Sequence, residues 1–492
     1  MTSTSTISAN EVGKPVSRET LEHLVRDQRA AFRREGTPSA EVRINRIDRL
    51  LLATVEHIDE IAESLNAEYG SRPTALTKAL DTLPLVGAAQ ELRDGIAEWM
   101  KPQDVSGGYV VPQPLGVVGV IGAWNFPLEL TIHPAIDALA AGNRVIIKFP
   151  DFHPRTGAIL AAAVAERLSP DEVAVVVGDI STAEHFSQLQ LDHIVFTGSP
   201  AIGKKVAEAA ARNLVPTTLE LGGKNPVVVS ESADLDLAAH RIAGSRLLNS
   251  GQVCLCPDYV FVPQKDEEVF VQKLGNEIRA LFPNPNSTAG LVSIVNQRNY
   301  ARIEGLVDDA VKKGAERVPL PGESDRQSEP SGDRLLTPTI LRNVPADAAI
   351  STEEVFGPVI SIYSYAQVDE AIDYINSHPS PLGAYWYGEQ DAQFDRFLEY
   401  TRSGGITVND GIAHAFLPGT PFGGVGNSGT GAYHGQTGFN RLSHIRTVAV
   451  ADGELGLTDG LVGASLATEA FAQAVDANVK AARDDLRTRV NK

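Results

Sequence analysis

Cysteine, clustered basic residues and long apolar runs are all scarce in this chain, and each shortage excludes something. Two cysteines, Cys254 and Cys256, stand one residue apart among 492 residues. They cannot build a disulfide framework, so a reducing compartment is expected. Lys and Arg number 43 against 62 Asp and Glu, a formal charge of −19. No basic block is present to neutralise a phosphate backbone or meet an anionic bilayer, so neither nucleic acid nor membrane is expected as a partner. The longest apolar runs, 117–124 and 173–177, fall far short of the roughly 18 residues a spanning helix needs. The opening segment has neither the basic nor the apolar stretch of a secretory signal, so a cytoplasmic protein is expected. Its Ser/Thr-rich first dozen residues read as a mobile tail.

What is present is enough apolar residue, 43 %, to fill real cores, and a length that suggests two or three domains. Residues 18–101 read as helices, with Leu50, Leu51, Val55, Ile58, Ile61 and Leu65 near a 3.6 period. From 116 onward short β-rich runs alternate with helical stretches. Strands are predicted at 117–121, 144–149, 173–177 and 193–197, with helices near 127–141, 154–168, 181–189 and 200–212. A second set follows, with strands at 227–229, 259–262, 360–363 and 406–408. Such alternation marks βαβ units and parallel sheets, here two α/β domains meeting at a cleft. The segment 418–440 is dense in glycine and demands unusual backbone angles or close backbone approach. After about 455 the chain turns helical, with Phe471, Val475, Val479, Ala482 and Leu486 on one stripe, read as packing on its own protomer or a partner.

Several residues could carry chemistry. Cys254, in Gly251-Gln-Val-Cys, is a nucleophile if activated and otherwise a small buried hydrophobe. Cys256 reads as packing, and a Cys-x-Cys without a neighbouring His is a poor zinc site, so no metal is expected. Glu220, followed by Gly222 and Gly223, is either a solvated turn acid or a general base given room to swing. Asn125, after the strand 117–121, is a natural N-cap or an oxyanion donor. Gly424-Val-Gly-Asn-Ser-Gly429 matches a dinucleotide glycine pattern but lacks its strand and acidic partner. A better phosphate site is Phe196-Thr-Gly-Ser, where Gly198 and Ser199 join a strand to a helix. Glu129 and His133 follow Asn125 on one helix face. Glu129 is either a substrate-tunnel acid that binds a hydroxyl or a helix acid facing solvent or a base.

Eight landmarks now fall into one order. They are Pro114-Leu-Gly-Val-Val, Ala123-Trp-Asn-Phe-Pro, Ala141-Gly-Asn-Arg-Val-Ile-Ile-Lys, Phe196-Thr-Gly-Ser, Leu219-Glu-Leu-Gly-Gly-Lys-Asn-Pro, Gly251-Gln-Val-Cys, Glu354-Val-Phe-Gly-Pro and Pro421-Phe-Gly-Gly-Val-Gly. Through them the chain resembles the NAD(P)-dependent aldehyde dehydrogenases over about residues 20–450. Asn409-Asp, His414, Tyr433-His-Gly-Gln-Thr-Gly-Phe and Ser443-His444 are similar to the class 3 and coniferyl-aldehyde branch, which handles aromatic and medium-chain aliphatic aldehydes.

The resemblance implies an α/β aldehyde dehydrogenase fold. A Rossmann-like cofactor domain would take 1–101 and 115–219, and an α/β catalytic domain 220–420. A small β bridging element would take 102–114 and 421–455, ahead of a helical tail at 456–492. It implies that Cys254 attacks the aldehyde, that Asn125 holds the oxyanion, and that Glu220 activates water against the resulting thioester. It assigns cofactor contacts to Ala123, Trp124, Lys148, Asp151, Gly198, Ser199, Gly203, Glu354 and Phe356; Glu129, from its place on the helix face, and His414 are the candidate substrate contacts. Asp151 follows Lys148-Phe-Pro where the family often has Lys-Pro-Ser-Glu. A carboxylate there accepts from a ribose 2′-hydroxyl and repels a 2′-phosphate, so NAD⁺ is expected ahead of NADP⁺. A homodimer is the expected assembly, with a tetramer as the alternative. The competing functions are a CoA-acylating relative, which Glu220 argues against, and a catalytically silent homologue.

Overall fold

The computed structural model describes residues 13–282, 290–320, 334–451 and 462–491. The expected N-terminal tail lies outside the described residues. The chain divides into two units. The larger takes residues 1–100 and 113–444, the smaller 101–112 and 445–492.

In the larger unit, helices come first. Ser17 and Ser39 cap Arg18–Glu35 and Ala40–Glu56, accepting from the Thr20 and Val42 N–H groups. This is the usual use of serine at a helix start. The apolar period predicted through Ile58 is interrupted, because the second helix ends at Glu56 and a new one, Ile58–Tyr69, begins beyond His57. Leu50, Leu51, Ile61 and Leu65 are buried, whereas Val55 is exposed at the helix end.

Two doubly wound sheets follow. In spatial order the six-stranded sheet is Gly429–Thr430, Thr217–Leu221, His193–Gly198, Val117–Ile121, Arg144–Lys148 and Val173–Val176. All its pairings are parallel except that of Gly429–Thr430. Val117–Ile121 is apolar on both faces. Val118 and Val120 join one core, and Val117 and Ile121 the other. Helices cover both sides of such a sheet, so its strands read as continuous apolar runs. The order of winding reverses between Val117–Ile121 and His193–Gly198, the point where ligands bind in open α/β sheets.

The seven-stranded sheet runs Glu316–Val318, Thr339–Arg342, Val359–Tyr365, Pro257–Pro263, Asn225–Val229, Gly383–Tyr387 and Gly405–Val408. Only Glu316–Val318 pairs antiparallel.

The smaller unit holds strands Gln103–Val105, most of Gly108–Pro114 and most of Ser443–Ala449, in one three-stranded sheet. Residues 421–442 belong to the larger unit, because Gly429–Thr430 pairs beside Glu220. The tail forms the helix Glu469–Val490, which buries no described side chain, and Val475, Val479 and Leu486 of the predicted stripe are exposed. No helix among the described residues is long and apolar enough to cross a membrane.

Candidate active site

Cys254 follows a turn that an ordinary chain resists. The helix Leu235–Leu247 ends, and Asn249, Ser250 and Gly251 then take φ values of 50°, 52° and 76°. For the two non-glycine residues this is sparsely populated backbone, costing on the order of 1–3 kcal/mol each. Side chains hold it. Ser250 Oγ accepts from the Val292 N–H at 2.9 Å, and the buried Gln252 amide donates to the Asn249 and Ser293 carbonyls at 3.1 Å. Gly251 has no substitute, since a Cβ there would strike the Gly357 carbonyl. Beyond the turn, Asn225 Nδ2 donates to the carbonyls of Cys254 and Cys256 at 2.7 and 2.9 Å. The Cys256 thiol is buried and donates to the Ser245 carbonyl at 3.1 Å. Cys254 as a residue is half-buried and packs beside Phe126, Leu130, Leu382, Phe422 and Tyr433. Burial, reinforced by Glu354, Cys256 and Glu220, pushes its thiol up to about 12.

Asn125 reaches this turn. Its Nδ2 donates to the Gln252 carbonyl at 3.2 Å, two residues before Cys254, and it is buried. The N-cap reading of Asn125 is corrected. The helix Glu129–Ala140 starts after Leu128 with no capping side chain at that position. Its first N–H groups turn to Asp81, whose Oδ1 accepts from Leu128 and Glu129 at 3.2 and 3.5 Å.

The solvated reading of Glu220 is corrected too. Gly429 pairs directly with Glu220, so the glycine-rich segment folds over it and leaves it 3 % exposed. Neither carboxyl oxygen has a full hydrogen bond. Burial raises its pKa well above the ordinary carboxylate range, and the Gly424 N–H offsets only part of this. The two glycines after it sit where side chains do not fit. A Cβ on Gly222 would strike the Glu354 carboxylate, and one on Gly223 would crowd Pro381. Glu354 is itself raised to about 8, by burial and then Asp258, against the Gly223 N–H, Lys224 and Arg246. Phe356, with φ 47°, meets the Trp124 ring edge-on at 5.3 Å. Ala123 packs with the Cys254 cluster.

The remaining expected contacts gather at the strand ends of the six-stranded sheet. Lys148 is buried, donates to the Phe149 carbonyl at 2.7 Å, and is pushed down to about 8 by burial, with Asp151 and Asp179 opposing. Asp151 lies exposed in the turn that follows. Ser199 caps Pro200–Ala211, its Oγ accepting from Ile202 at 3.4 Å. The buried Thr197 hydroxyl beside Gly198 has no partner. An orphaned hydroxyl, a lysine with spare donors and a helix N-terminus at the switch point fit a dinucleotide. Gly203 lies in the first turn of that helix, and its missing side chain lets the helix close onto Leu221 of the neighbouring strand.

His414 Nδ1 and Thr407 Oγ1 share a hydrogen bond at 2.8 Å, and the ring lies against Gly383 and Gly405. Burial pushes it down to about 4. Glu129 Oε1 bonds His133 Nδ1 at 2.7 Å. Glu129, His133 and His434 bring donor atoms within 4.8 Å of one another. The two imidazoles, however, stack at 3.9 Å with planes 4° apart, so their lone pairs do not converge on one point.

The fold and these groups define an α/β nucleotide-dependent enzyme built around a cysteine. The pattern of the aldehyde dehydrogenase family matches residues 10–448, and the chain belongs to that family. It is 43 % identical over 441 residues to a probable coniferyl aldehyde dehydrogenase of Caulobacter vibrioides, covering 87 % of this chain and 90 % of the relative. It is 38 % identical to a coniferyl aldehyde dehydrogenase of a Pseudomonas species, covering 89 % and 92 %. The Mycobacterium tuberculosis aldehyde dehydrogenase complexed with NAD⁺ superposes with a TM-score of 0.79 at 28 % identity, covering 90 % of this chain and 92 % of that one. The protein is therefore an NAD(P)⁺-dependent aldehyde dehydrogenase that yields the carboxylic acid.

Proposed function

We propose that the preferred substrates are aromatic aldehydes, with medium-chain aliphatic ones second, oxidised at Cys254. The observation that carries this reading is the apolar cluster around the thiol, where Phe126, Phe422 and Tyr433 supply rings for an aryl group to pack on. The coniferyl aldehyde dehydrogenases similar to this chain support it.

The Cys254 thiol gives its proton to solvent water and the sulfur bonds the aldehyde carbon, its C=O π pair moving onto oxygen. The oxygen becomes an oxyanion, met by the Asn125 amide and the Cys254 N–H. One Asn125 hydrogen is committed to Gln252 and the other remains for this purpose. A nicotinamide held beside Cys254 would supply the hydride acceptor for this carbon, and the acyl group would then remain on the Cys254 sulfur. Glu220 then takes a proton from water, the water oxygen bonds the acyl carbon, and the C–S bond breaks to free the acid. Lys148, Asp151, Ser199 and Gly198 are our assignment for the cofactor's ribose and phosphate, and Trp124, Glu354 and Phe356 for its nicotinamide end. On this reading the six-stranded sheet belongs to the cofactor domain and the seven-stranded sheet to the catalytic domain. The three-stranded sheet serves a homodimer, with a tetramer as the alternative. Two unpaired thiols favour the cytoplasm.

Steady-state assays with benzaldehydes, cinnamaldehydes and aliphatic aldehydes test the reading. The expected product is the free acid, even with CoA present, and NAD⁺ is expected to exceed NADP⁺ in kcat/KM by at least about tenfold through Asp151. Acyl-CoA as product, or the reverse cofactor order, overturns it.

Two buried polar atoms lie beside the same cluster, Glu129 Oε2 and His133 Nε2, neither with a partner. His133 packs edge-on against Tyr433 at 5.6 Å. We assign this pair to a substrate hydroxyl. Glu129→Gln should lower kcat/KM for a 4-hydroxycinnamaldehyde about tenfold relative to cinnamaldehyde, the size of one charge-assisted hydrogen bond. An unchanged ratio removes the assignment.

A further inference from the structure

Arg72 forms a fully buried ion pair, and the reaction as described leaves it unused. It is fully buried with Asp81, at 2.6 Å between Nη2 and Oδ2. Its Nε donates to Thr77 Oγ1 at 3.2 Å. Its Nη1 donates both to the Asn125 carbonyl and to Asn249 Oδ1, each at 2.9 Å. The guanidinium lies over the rings of Tyr69 and Phe126, at 4.9 and 5.3 Å. A buried ion pair is weak evidence of stabilisation, because desolvation offsets most of its attraction. Its other bonds point instead to something it fixes in place.

The bonds show what that is. Asn125 and Asn249 come from segments 124 residues apart. One is the proposed oxyanion donor and the other opens the left-handed turn that carries Cys254. Arg72 Nη1 joins them directly. Asn249 Nδ2 closes the link by donating to the Asn125 carbonyl at 3.4 Å and the Gln252 carbonyl at 3.2 Å. The Asn125 amide bonds that same Gln252 carbonyl. Asp81, on the other side of the guanidinium, holds the N–H groups of Leu128 and Glu129, three and four residues beyond Asn125. The planar fork of Arg thereby reaches three segments at fixed angles, which the point charge of a lysine does not reproduce.

We infer that Arg72, with Asp81, is a positioning residue that sets the Asn125 amide against the Cys254 sulfur for oxyanion formation. This rests on the proposed roles of Asn125 and Cys254. Misplacing a donor by about an ångström costs up to about a hundredfold in rate.

The test is the pre-steady-state burst of NADH in Arg72→Met/Asp81→Asn. That double variant removes both charges together and keeps the Asp81 oxygen that accepts from the helix. The burst rate should fall about thirtyfold, while the Kd for NAD⁺ stays within about twofold. A wild-type burst rate overturns the inference. So does a loss confined to NAD⁺ affinity or to Tm, since that is what a merely structural role would give. Arg72→Lys, which keeps the charge opposite Asp81, serves if the double variant does not fold. A slowed burst is again expected, and a wild-type burst again overturns the inference. The Cys254→Ala enzyme separates the two claims. If it stays active, the underlying reading fails. If it is dead while the Arg72 variants burst normally, only the positioning role fails.

Discussion

Cys254→Ala should reduce NADH production by at least about 10⁴-fold with every aldehyde, leaving the Kd for NAD⁺ nearly unchanged. Covalent capture divides one difficult oxidation into two easier steps, and without the sulfur neither step has a starting point. Cys256→Ala should retain activity, because that thiol is buried and committed to the Ser245 carbonyl. A second measurement follows from the thiol's surroundings. Burial and the neighbouring carboxyls push the Cys254 thiol up to about 12. Its thiolate is a trace species at neutral pH, and the thiolate is what reacts. Alkylation of Cys254 by iodoacetamide, followed by mass spectrometry, should therefore rise about tenfold per pH unit from pH 6 to 9, with no plateau. A plateau near neutrality means that something depresses the thiol pKa. Retention of more than about a thousandth of the activity in Cys254→Ala would move the nucleophile elsewhere.

The parts of this site visible in the sequence and the parts that were not differ in physical kind. The strand Val117–Ile121 is predicted and found over the same residues, because a strand buried on both faces writes a continuous apolar run. Gly383–Tyr387 is not among the predicted strands, and it pairs both with Gly405–Val408, the next strand in the chain, and with Asn225–Val229, far earlier in sequence. Cys254, Asn125 and Glu220 are legible as residue types in ordered landmarks, but their surroundings are not. Asn125 looks like an N-cap until Asp81, from a segment more than forty residues earlier, is seen to take that work. Glu220 looks solvated until Gly429 pairs with it from about two hundred residues further on. Arg72 and Asp81 leave no trace at all, since a pair nine residues apart in a helical region reads as an exposed ion pair. What local pattern cannot show is burial imposed by a remote segment, and here that burial sets the chemistry.

Glu220→Gln is where burial and mechanism meet. The amide has the same shape but cannot take a proton from water, so thioester hydrolysis should slow by about 10² to 10⁴-fold. Acyl transfer to Cys254 needs no such base, so one equivalent of NADH per active site should still appear in a burst. The acylated chain should then be visible by intact mass spectrometry. The pH dependence has a definite sign. The folded Glu220 pKa is raised above its ordinary 4.5. The basic form therefore appears only as pH rises through the raised value, and wild-type kcat should climb with pH along a limb that Glu220→Gln lacks. The same shift acts on stability in the opposite direction. Folding favours the protonated carboxyl, so this contribution is fully present below about 4.5 and is lost as pH rises through the folded pKa. Thermal unfolding at pH 8 should thus find Glu220→Gln more stable than wild type, with the difference shrinking toward pH 4. If the variant makes acid at the wild-type rate, water is activated by another group. If it shows no burst, Glu220 acts earlier, on the thiol proton. If the Tm difference does not depend on pH, the carboxyl is not desolvated in the folded chain, and its burial cannot be what delays the base.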